Sequence, residues 1–274
     1  MPSIDLARAG KFNFEIIRPE ERGSRWEEDT IRRHGVTVWI NDRLDTELGH
    51  GCRVKGAGAK LVTFDDRGGG AQVADLHFAP LILDESEQLG GKKVLRGPEY
   101  LVLNREIDRY KRLRHHACET IVTLGGSDTY GATLSVVRLL KDQGRTATIH
   151  LGPAFAHHDS LVKLLSPSFR LLKNVPSLIE TFSHFDLAIT GGGVTPFEAN
   201  ASGLPCLIVA NEPFEVQVAR YLEDLGASVF AGPHDAISEE AFRRELDIES
   251  MSRMGLAGVG TRGADNVLRE IHSS

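Results

Sequence analysis

The feature that most constrains this chain is a regular alternation in its C-terminal half. Short apolar runs of strand length, each closed by glycine or a polar turn, are separated by segments with helical spacing. "CETIVTLGGSD", from Cys118, is an apolar run ending in a Gly-Gly turn, and "TYGATLSVVRLLKDQG" follows with helical spacing and a glycine stop. "TATIHLG", "FRLLKNV", "DLAITGGG", "LPCLIVA" and "ASVFAG" read as further strands. "SLVKLLSP", "VPSLIETFSHF", "TPFEANASG" and "EVQVARYLEDLG" read as the helices between them, the second with Pro176 near its start. Residues 238–272 read as helix in two pieces around "GLAGVGTRG". Strands that each lead into a helix and return belong to a parallel sheet. Residues 118–274 are therefore expected to form a complete Rossmann-like lobe of ordinary domain size.

The first half carries the same grammar in abbreviated form. Residues 1–25 read as polar loop leading into a helix; "GVTVWIND" and "AKLVTFDD" read as buried strands around a Gly-broken stretch that can hold a helix, and "DLHFAPLIL" as a third short strand. Residues 1–95 are expected to be a shortened N-terminal α/β lobe and residues 96–117 a connector, with the basic run "DRYKRLRHH" as a solvated face. The whole is expected to be α/β, with two Rossmann-like lobes of which the first is shortened.

Charge and cysteine usage narrow the function classes. Against 38 acidic residues stand 32 basic ones, a formal −6, which argues against a nucleic-acid binder. Cys52, Cys118 and Cys206 lie far apart with no CxxC spacing, so neither a zinc knuckle nor a redox pair is readable, and a reducing, cytoplasmic setting is expected. No apolar run of membrane-spanning length or signal-peptide core is present, so no membrane span is expected.

Ligands of open parallel α/β sheets bind beyond the carboxyl ends of the strands. Two Gly-rich turns fall at such ends. In Gly125, Gly126 and Ser127, side-chain-free backbone can approach an anion ahead of a helix, and Ser127 can cap that helix or touch phosphate; tight packing alone is the alternative. In Gly191, Gly192 and Gly193, three glycines follow a buried strand. Thr195 then suits an N-cap, Pro196 the first helical position, and Glu198 either the third residue of a capping box or a carboxylate for a ribose diol. Together the two turns can hold a diphosphate and its ribose. No GxGxxG follows the first strand of this half, which argues against a nicotinamide dinucleotide. Asp42, Asp65 and Asp66 end strands of the first half, where a carboxylate serves as general base or as a cap.

"LGGSD", "DLAITGGGVTPFEANASGLPCLIV" and "FEVQVARYLEDLG" resemble the nucleotide-binding half of GT-B glycosyltransferases, above all the nucleotide-sugar hydrolases of the pseudaminic-acid pathway and the related spore-coat polysaccharide proteins. The likeness runs over roughly residues 30–272 and includes "VTFDDRG" and "GVGTRGADNVLREI". It implies that Gly125, Gly126 and Ser127 face phosphate or sugar, that Gly191, Gly192, Gly193 and Thr195 line the diphosphate, that Glu198 binds the ribose, and that Gln217 lies near the donor, though Val216 breaks the usual "NQ" pair. It implies a UDP-sugar substrate, no cofactor and no metal. Relatives open with a G-x-G-H-x-x-R loop whose His is the catalytic base. That element is expected to be missing here, leaving Asp42 and Asp66 as the weak candidates. "GHGCR" at 49–53 has the letters but follows the wrong strand, so His50 reads either as a displaced base or as a loop histidine. The expected activity is hydrolysis of a UDP-activated amino- or deoxy-sugar at the anomeric carbon. The alternatives are a glycosyltransferase with the same donor, and a split or non-catalytic subunit, as a homo-oligomer or with a partner chain completing the N-terminal lobe.

Overall fold

The structure, a computed structural model, describes residues 15–17, 23, 25–173 and 175–274. Most of the reading of residues 1–25 lies outside these. The chain divides into two compact units: the first runs through His77 and includes Leu89–Lys93, and the second comprises Phe78–Gln88 and Val94–Ser274. Residues 96–117, read as a connector, thus belong to the second unit.

In the first unit, α1 (Trp26–His34) precedes β1 (Val38–Asp42), α2 (Leu48–Gly56) and β2 (Lys60–Phe64). β1 and β2 are parallel, in register from Val38↔Lys60 to Asp42↔Phe64. They join β3 (Leu76–Ala79) and β4 (Lys93–Arg96) in a sheet ordered β1-β2-β3-β4, and the unit boundary passes through β3 and β4. Ile31, Val54, Ala59, Leu61 and Ala74 form the core of this unit.

The second unit continues with α3 (Ile107–Tyr110), β5 (Thr120–Thr123), α4 (Ala132–Asp142), β6 (Ala147–His150), α5 (His158–Leu164) and β7 (Phe169–Leu172). Then come α6 (Leu178–Phe182), β8 (Leu187–Thr190), α7 (Thr195–Ala201), β9 (Cys206–Ala210), α8 (Glu215–Asp224) and β10 (Ser228–Pro233). The chain closes with α9 (Glu239–Arg243), α10 (Ile248–Gly258) and α11 (Gly263–Ser273). The last stretch is therefore three helices rather than two pieces. "GLAG" continues α10, because a glycine at 255 or 258 lets the helix pack against Asn200 and Leu225, where a Cβ would collide. Pro176 lies ahead of α6, whose cap is Ser177 accepting from the Glu180 N–H.

The six strands are parallel and ordered β10-β9-β8-β5-β6-β7. Alternate residues of each strand face opposite sides. Val122, Leu187, Ile189, Leu207 and Val209 pack with Val136, Val137 and Leu140 of α4, with Leu161 of α5 and with Phe242 and Met251. Ile121, Ala188, Cys206 and Ile208 pack with Ile179 and Phe182 of α6, Phe197 and Ala199 of α7, and Val218, Ala219 and Leu222 of α8. Helices therefore cover both faces, which is why these strands read as continuous apolar runs rather than alternating ones.

Most charged residues of the basic run "DRYKRLRHH" are exposed as expected, but Arg114 and, in part, Arg112 are not. Arg114 is wholly buried. Its guanidinium donates to the carbonyls of Phe182 (3.0 Å), Phe185 (3.3 Å), Arg112 (2.9 Å) and Ser202, and its backbone N–H donates to Ser252 Oγ (3.0 Å). Arg112 reaches the Ser183 carbonyl (3.0 Å) and Asp186 Oδ1 (2.9 Å). Five donors in a rigid fork let one Arg collect the loose carbonyls behind α6 and α7. Burial pushes the Arg114 pKa down to about 9, which still leaves it cationic at neutral pH. Replacing Arg114 by Ala removes a large core side chain and several charge-assisted bonds. Chemical denaturation is expected to show a loss of about 3 kcal/mol or more.

Candidate functional site

The order of the six strands is 3-2-1-4-5-6 when counted from β5, so it reverses between β5 and β8. α4 leaves β5 toward one face and α7 leaves β8 toward the other, opening a crevice at the carboxyl ends. Thr123 pairs with Thr190 at the end of these two strands. The two Gly-rich turns therefore emerge side by side.

Gly125, Gly126 and Ser127 are exposed. Gly125 has φ +97°, a left-handed conformation that favours glycine, whereas a Cβ on Gly126 would meet nothing within 4 Å. The chain itself does not require a glycine at 126. Ser127 does not cap the next helix: its Oγ pairs with Thr129 Oγ1 at 3.0 Å. Asp128 caps instead, accepting from the Ala132 N–H (2.8 Å) and the Thr133 N–H (2.9 Å), with φ +44°. Asp tolerates this backbone state because its short side chain bonds locally. α4 thus starts at Ala132, and its first N–H groups are already partly committed to Asp128. Gly152, which the sequence reading did not single out, supports the turn from below. A Cβ there would collide with the carbonyls of Gly125 and Gly126, and the Gly126 carbonyl accepts from the Ala154 N–H at 2.9 Å.

The second turn is more crowded. A Cβ on Gly191 would lie 3.0 Å from Asn211 Nδ2, and one on Gly192 2.6 Å from Glu215 Cβ. These two glycines are needed for the close approach of the β9–α8 loop, while Gly193 has only ordinary contacts. Asn211 Nδ2 also donates to the Leu124 carbonyl at 3.4 Å, joining the two turns. The Gly192 N–H donates to Glu215 Oε2 at 3.0 Å.

Thr195 is the first residue of α7 rather than its cap. The cap position is Val194, with no side-chain bond, so no capping box forms. Pro196 sits in the first turn, as its fixed φ and missing N–H favour. Without a capping role, the half-buried Glu198 carboxyl has no hydrogen-bond or salt-bridge partner among the described residues, and burial alone pushes its pKa up to about 7. A partly desolvated carboxyl with no partner, one turn beyond a sheet switch point, is a functional-site signature. Gln217, on the first turn of α8, has a buried Oε1 without a partner, as does Asn211 at Oδ1. Tyr130 stacks on His234 with ring centroids 4.1 Å apart and donates to Glu212 Oε1 at 3.2 Å, so loops after β5, β9 and β10 also meet. Asn211, Tyr130 and His234 lacked any motif that would have marked them, and Glu215, though inside "FEVQVARYLEDLG", was given no role of its own.

The first-half candidates behave differently. Asp66 is wholly buried, and its Oδ1 accepts from the N–H groups of Thr46 and Gly68 at 2.9 Å each, so it ties together the loops after β1 and β2. Asp42 is exposed at the end of β1. His50 is neither a loop histidine nor free to act as a base. It lies buried on α2, with Nδ1 2.9 Å from Glu27 Oε1 and Nε2 3.3 Å from Asn41 Oδ1. Burial pushes its pKa below the ordinary histidine value, against the opposing pull of Glu27. Arg53 also binds Glu27, at 2.7 and 3.0 Å, so the carboxylate that the helix pair buries is matched by a cation. Among the described residues no helix is long and apolar enough to cross a membrane.

No family model matches the chain. It is 23% identical over 211 residues to the spore coat polysaccharide biosynthesis protein SpsG of Bacillus subtilis (strain 168). That match takes in 72% of this chain and 60% of SpsG. In structure it is similar to MurG of Acinetobacter baumannii, with a TM-score of 0.64 and 12% identity over 99% of this chain and 88% of that one. It is also similar to a UDP-GlcNAc 2-epimerase from Neisseria meningitidis bound to UDP-GlcNAc, with a TM-score of 0.61 and 13% identity over 96% and 85% of the two chains. The fold is thus α/β with parallel sheets, of the GT-B type seen in glycosyltransferase and epimerase structures.

The glycines of the site separate into two kinds by folding alone. Gly152→Ala is expected to cost about 1–3 kcal/mol by overpacking, whereas Gly126→Ala should change stability by less than about 0.5 kcal/mol. Thermal melts of the two variants check this.

Proposed function

We propose that the chain binds a UDP-activated sugar and acts at its anomeric carbon with release of UDP. In this reading the diphosphate lies against Gly125–Ser127 and Gly191–Gly193, Thr195 adds a hydroxyl, and the ribose diol bonds to Glu198. Gln217 lies near the sugar. The observation that carries the reading is Glu198: a half-buried carboxyl, denied a cap and a counter-ion, on the helix that follows the Gly191–Gly193 turn at the strand-order reversal. The UDP-GlcNAc held by the similar epimerase and the polysaccharide-biosynthesis name of SpsG support a nucleotide sugar as the substrate class and polysaccharide assembly as the setting.

The chemistry follows from charge. Breaking the bond between C1 and the β-phosphate oxygen leaves negative charge on UDP. Fixed backbone N–H donors at Gly125 and Gly126 stabilise that charge without reorganising. A Cβ at position 126 meets nothing in the free chain, so a requirement for glycine there arises only when a ligand is bound. Water as acceptor makes the enzyme a hydrolase, and a hydroxyl acceptor makes it a glycosyltransferase. Incubation of a small UDP-sugar panel with and without acceptor separates the two: free sugar and UDP with water alone indicate hydrolysis, and acceptor-dependent UDP release indicates transfer.

Binding is tested by calorimetry with UDP. Glu198→Ala should weaken UDP about 10- to 100-fold, the scale of lost charge-assisted bonds, and Gly126→Ala should weaken it despite an unchanged fold. Unaltered affinity in both variants would remove the diphosphate and ribose from these positions.

Glu198 also predicts a pH dependence. Its folded-state pKa, about 7, lies above the ordinary 4.5, so the folded chain retains a proton that the unfolded chain has lost between these values. Stability should fall as pH rises through that window, by up to about 3 kcal/mol, and level off above it. The ionised carboxylate is the better acceptor for a diol, so UDP affinity should rise as pH passes through about 7. The stability trend should vanish in Glu198→Gln, and the affinity trend should shrink to what the second ionisation of the β-phosphate at about pH 6 gives, as melting curves and titrations from pH 5 to about 8 would show.

A further inference from the structure

The turn that the proposed reading gives to the diphosphate already holds an anion, and that anion belongs to the chain. Glu215 opens α8, and its Oε2 accepts from the Gly192 N–H at 3.0 Å and from the Asn211 N–H at 2.7 Å. Two backbone donors converging on one carboxylate oxygen is the geometry with which a turn binds a phosphate oxygen. The contact is also local to the end of the side chain. The main chain and Cβ of Glu215 are wedged against Gly192, where an added Cβ would lie 2.6 Å from Glu215 Cβ and 2.7 Å from its carbonyl oxygen. The carboxylate lies beyond that fixed point, on torsions that move between staggered states without shifting the helix. Among the described residues no Lys or Arg forms a salt bridge with Glu215; its recorded carboxylate bonds are to the two N–H groups.

From this geometry we propose that Glu215 is a specificity-determining residue of the nucleotide site: a resident anion seated on the Gly192 and Asn211 N–H groups, which a ligand diphosphate must displace. The inference rests on the reading of the site given above. A backbone N–H bonds one acceptor at full strength, and two anions on the same donors repel. Diphosphate binding is therefore an exchange of one anion for another, in which the Glu215 side chain rotates away and the phosphate oxygen takes its two donors. Two consequences follow. The donors are kept satisfied and correctly aimed in the free protein, so the turn does not have to reorganise when the ligand arrives. The affinity for any diphosphate ligand is held below what the same turn would give unopposed, while ligands lacking phosphate are unaffected.

The test is a set of calorimetric titrations of the wild-type chain, Glu215→Gln and Glu215→Ala with UDP and with uridine. Glu215→Gln keeps the shape and a neutral acceptor, and Glu215→Ala leaves the donors open. UDP should bind about tenfold more tightly to Glu215→Ala than to wild type, a difference of about 1.4 kcal/mol, with Glu215→Gln between them and uridine unchanged. In amide NMR spectra of each protein, UDP should shift the Gly192 and Asn211 resonances, and the isosteric Gln variant should give an otherwise wild-type spectrum, which reports the fold. UDP affinity that is equal to or below wild type in both variants, or a gain shared equally by uridine, overturns the role of Glu215 while wild-type UDP binding leaves the nucleotide site standing. Absence of saturable UDP binding in all three proteins removes the nucleotide site, and this inference with it.

Discussion

The reversal of strand order between β5 and β8 is the constraint from which the rest of the site follows. Helices that leave neighbouring parallel strands toward opposite faces cannot both cover the sheet end between them, so that end stays open. Whatever is built there has to come from the two turns and from loops reaching over from β6, β9 and β10. Gly152 comes up under the first turn, and Asn211, Glu215 and His234 come from the other side. The fold asks different things of the glycines. Gly191 and Gly192 yield to the β9–α8 loop, Gly125 supplies a left-handed backbone, and Gly126 has empty space where its side chain would be.

The electrostatics of the site depend on backbone dipoles more than on cationic side chains. Asp128 caps α4, Glu215 occupies donors of the second turn, and Glu198 sits desolvated near its own titration point. Carboxylates in a site read as anion-binding look contradictory until each is given its own task. One fixes a helix end, one occupies donors of the second turn, and one, in the proposed reading, meets the hydroxyls of a pentose. Backbone N–H groups suit this arrangement because they carry only partial charge and can pass from an internal acceptor to an external one.

Several elements show where sequence reasoning reaches its limit. The apolar runs of the second unit became strands because both faces of each are buried, and a run apolar throughout is legible without any knowledge of partners. Arg112 and Arg114 were not legible. A basic run ordinarily stays in water, and only the gathering of the Phe182, Phe185 and Ser202 carbonyls around one point makes burial of a guanidinium tolerable. The Thr195-to-Glu198 spacing fits a capping box equally well on paper. Folding starts α7 one residue earlier, which puts Thr195 inside the helix and leaves Glu198 unpartnered. His50 has the neighbours of a loop residue in sequence, yet α1 brings Glu27 onto it and buries both.

The sequence by itself determined the α/β class, the alternation of strand and helix after residue 118 and the two glycine-rich turns, because periodicity and glycine placement are local properties of a chain. Only the tertiary structure decided that these turns stand side by side, that Glu198 has no partner and that Glu215 sits on the Gly192 N–H. Those facts depend on strand order and on loops more than 20 residues apart in the chain. Distance along the chain carries no signal about which donor meets which acceptor; the sheet supplies that information by fixing which strand ends are neighbours.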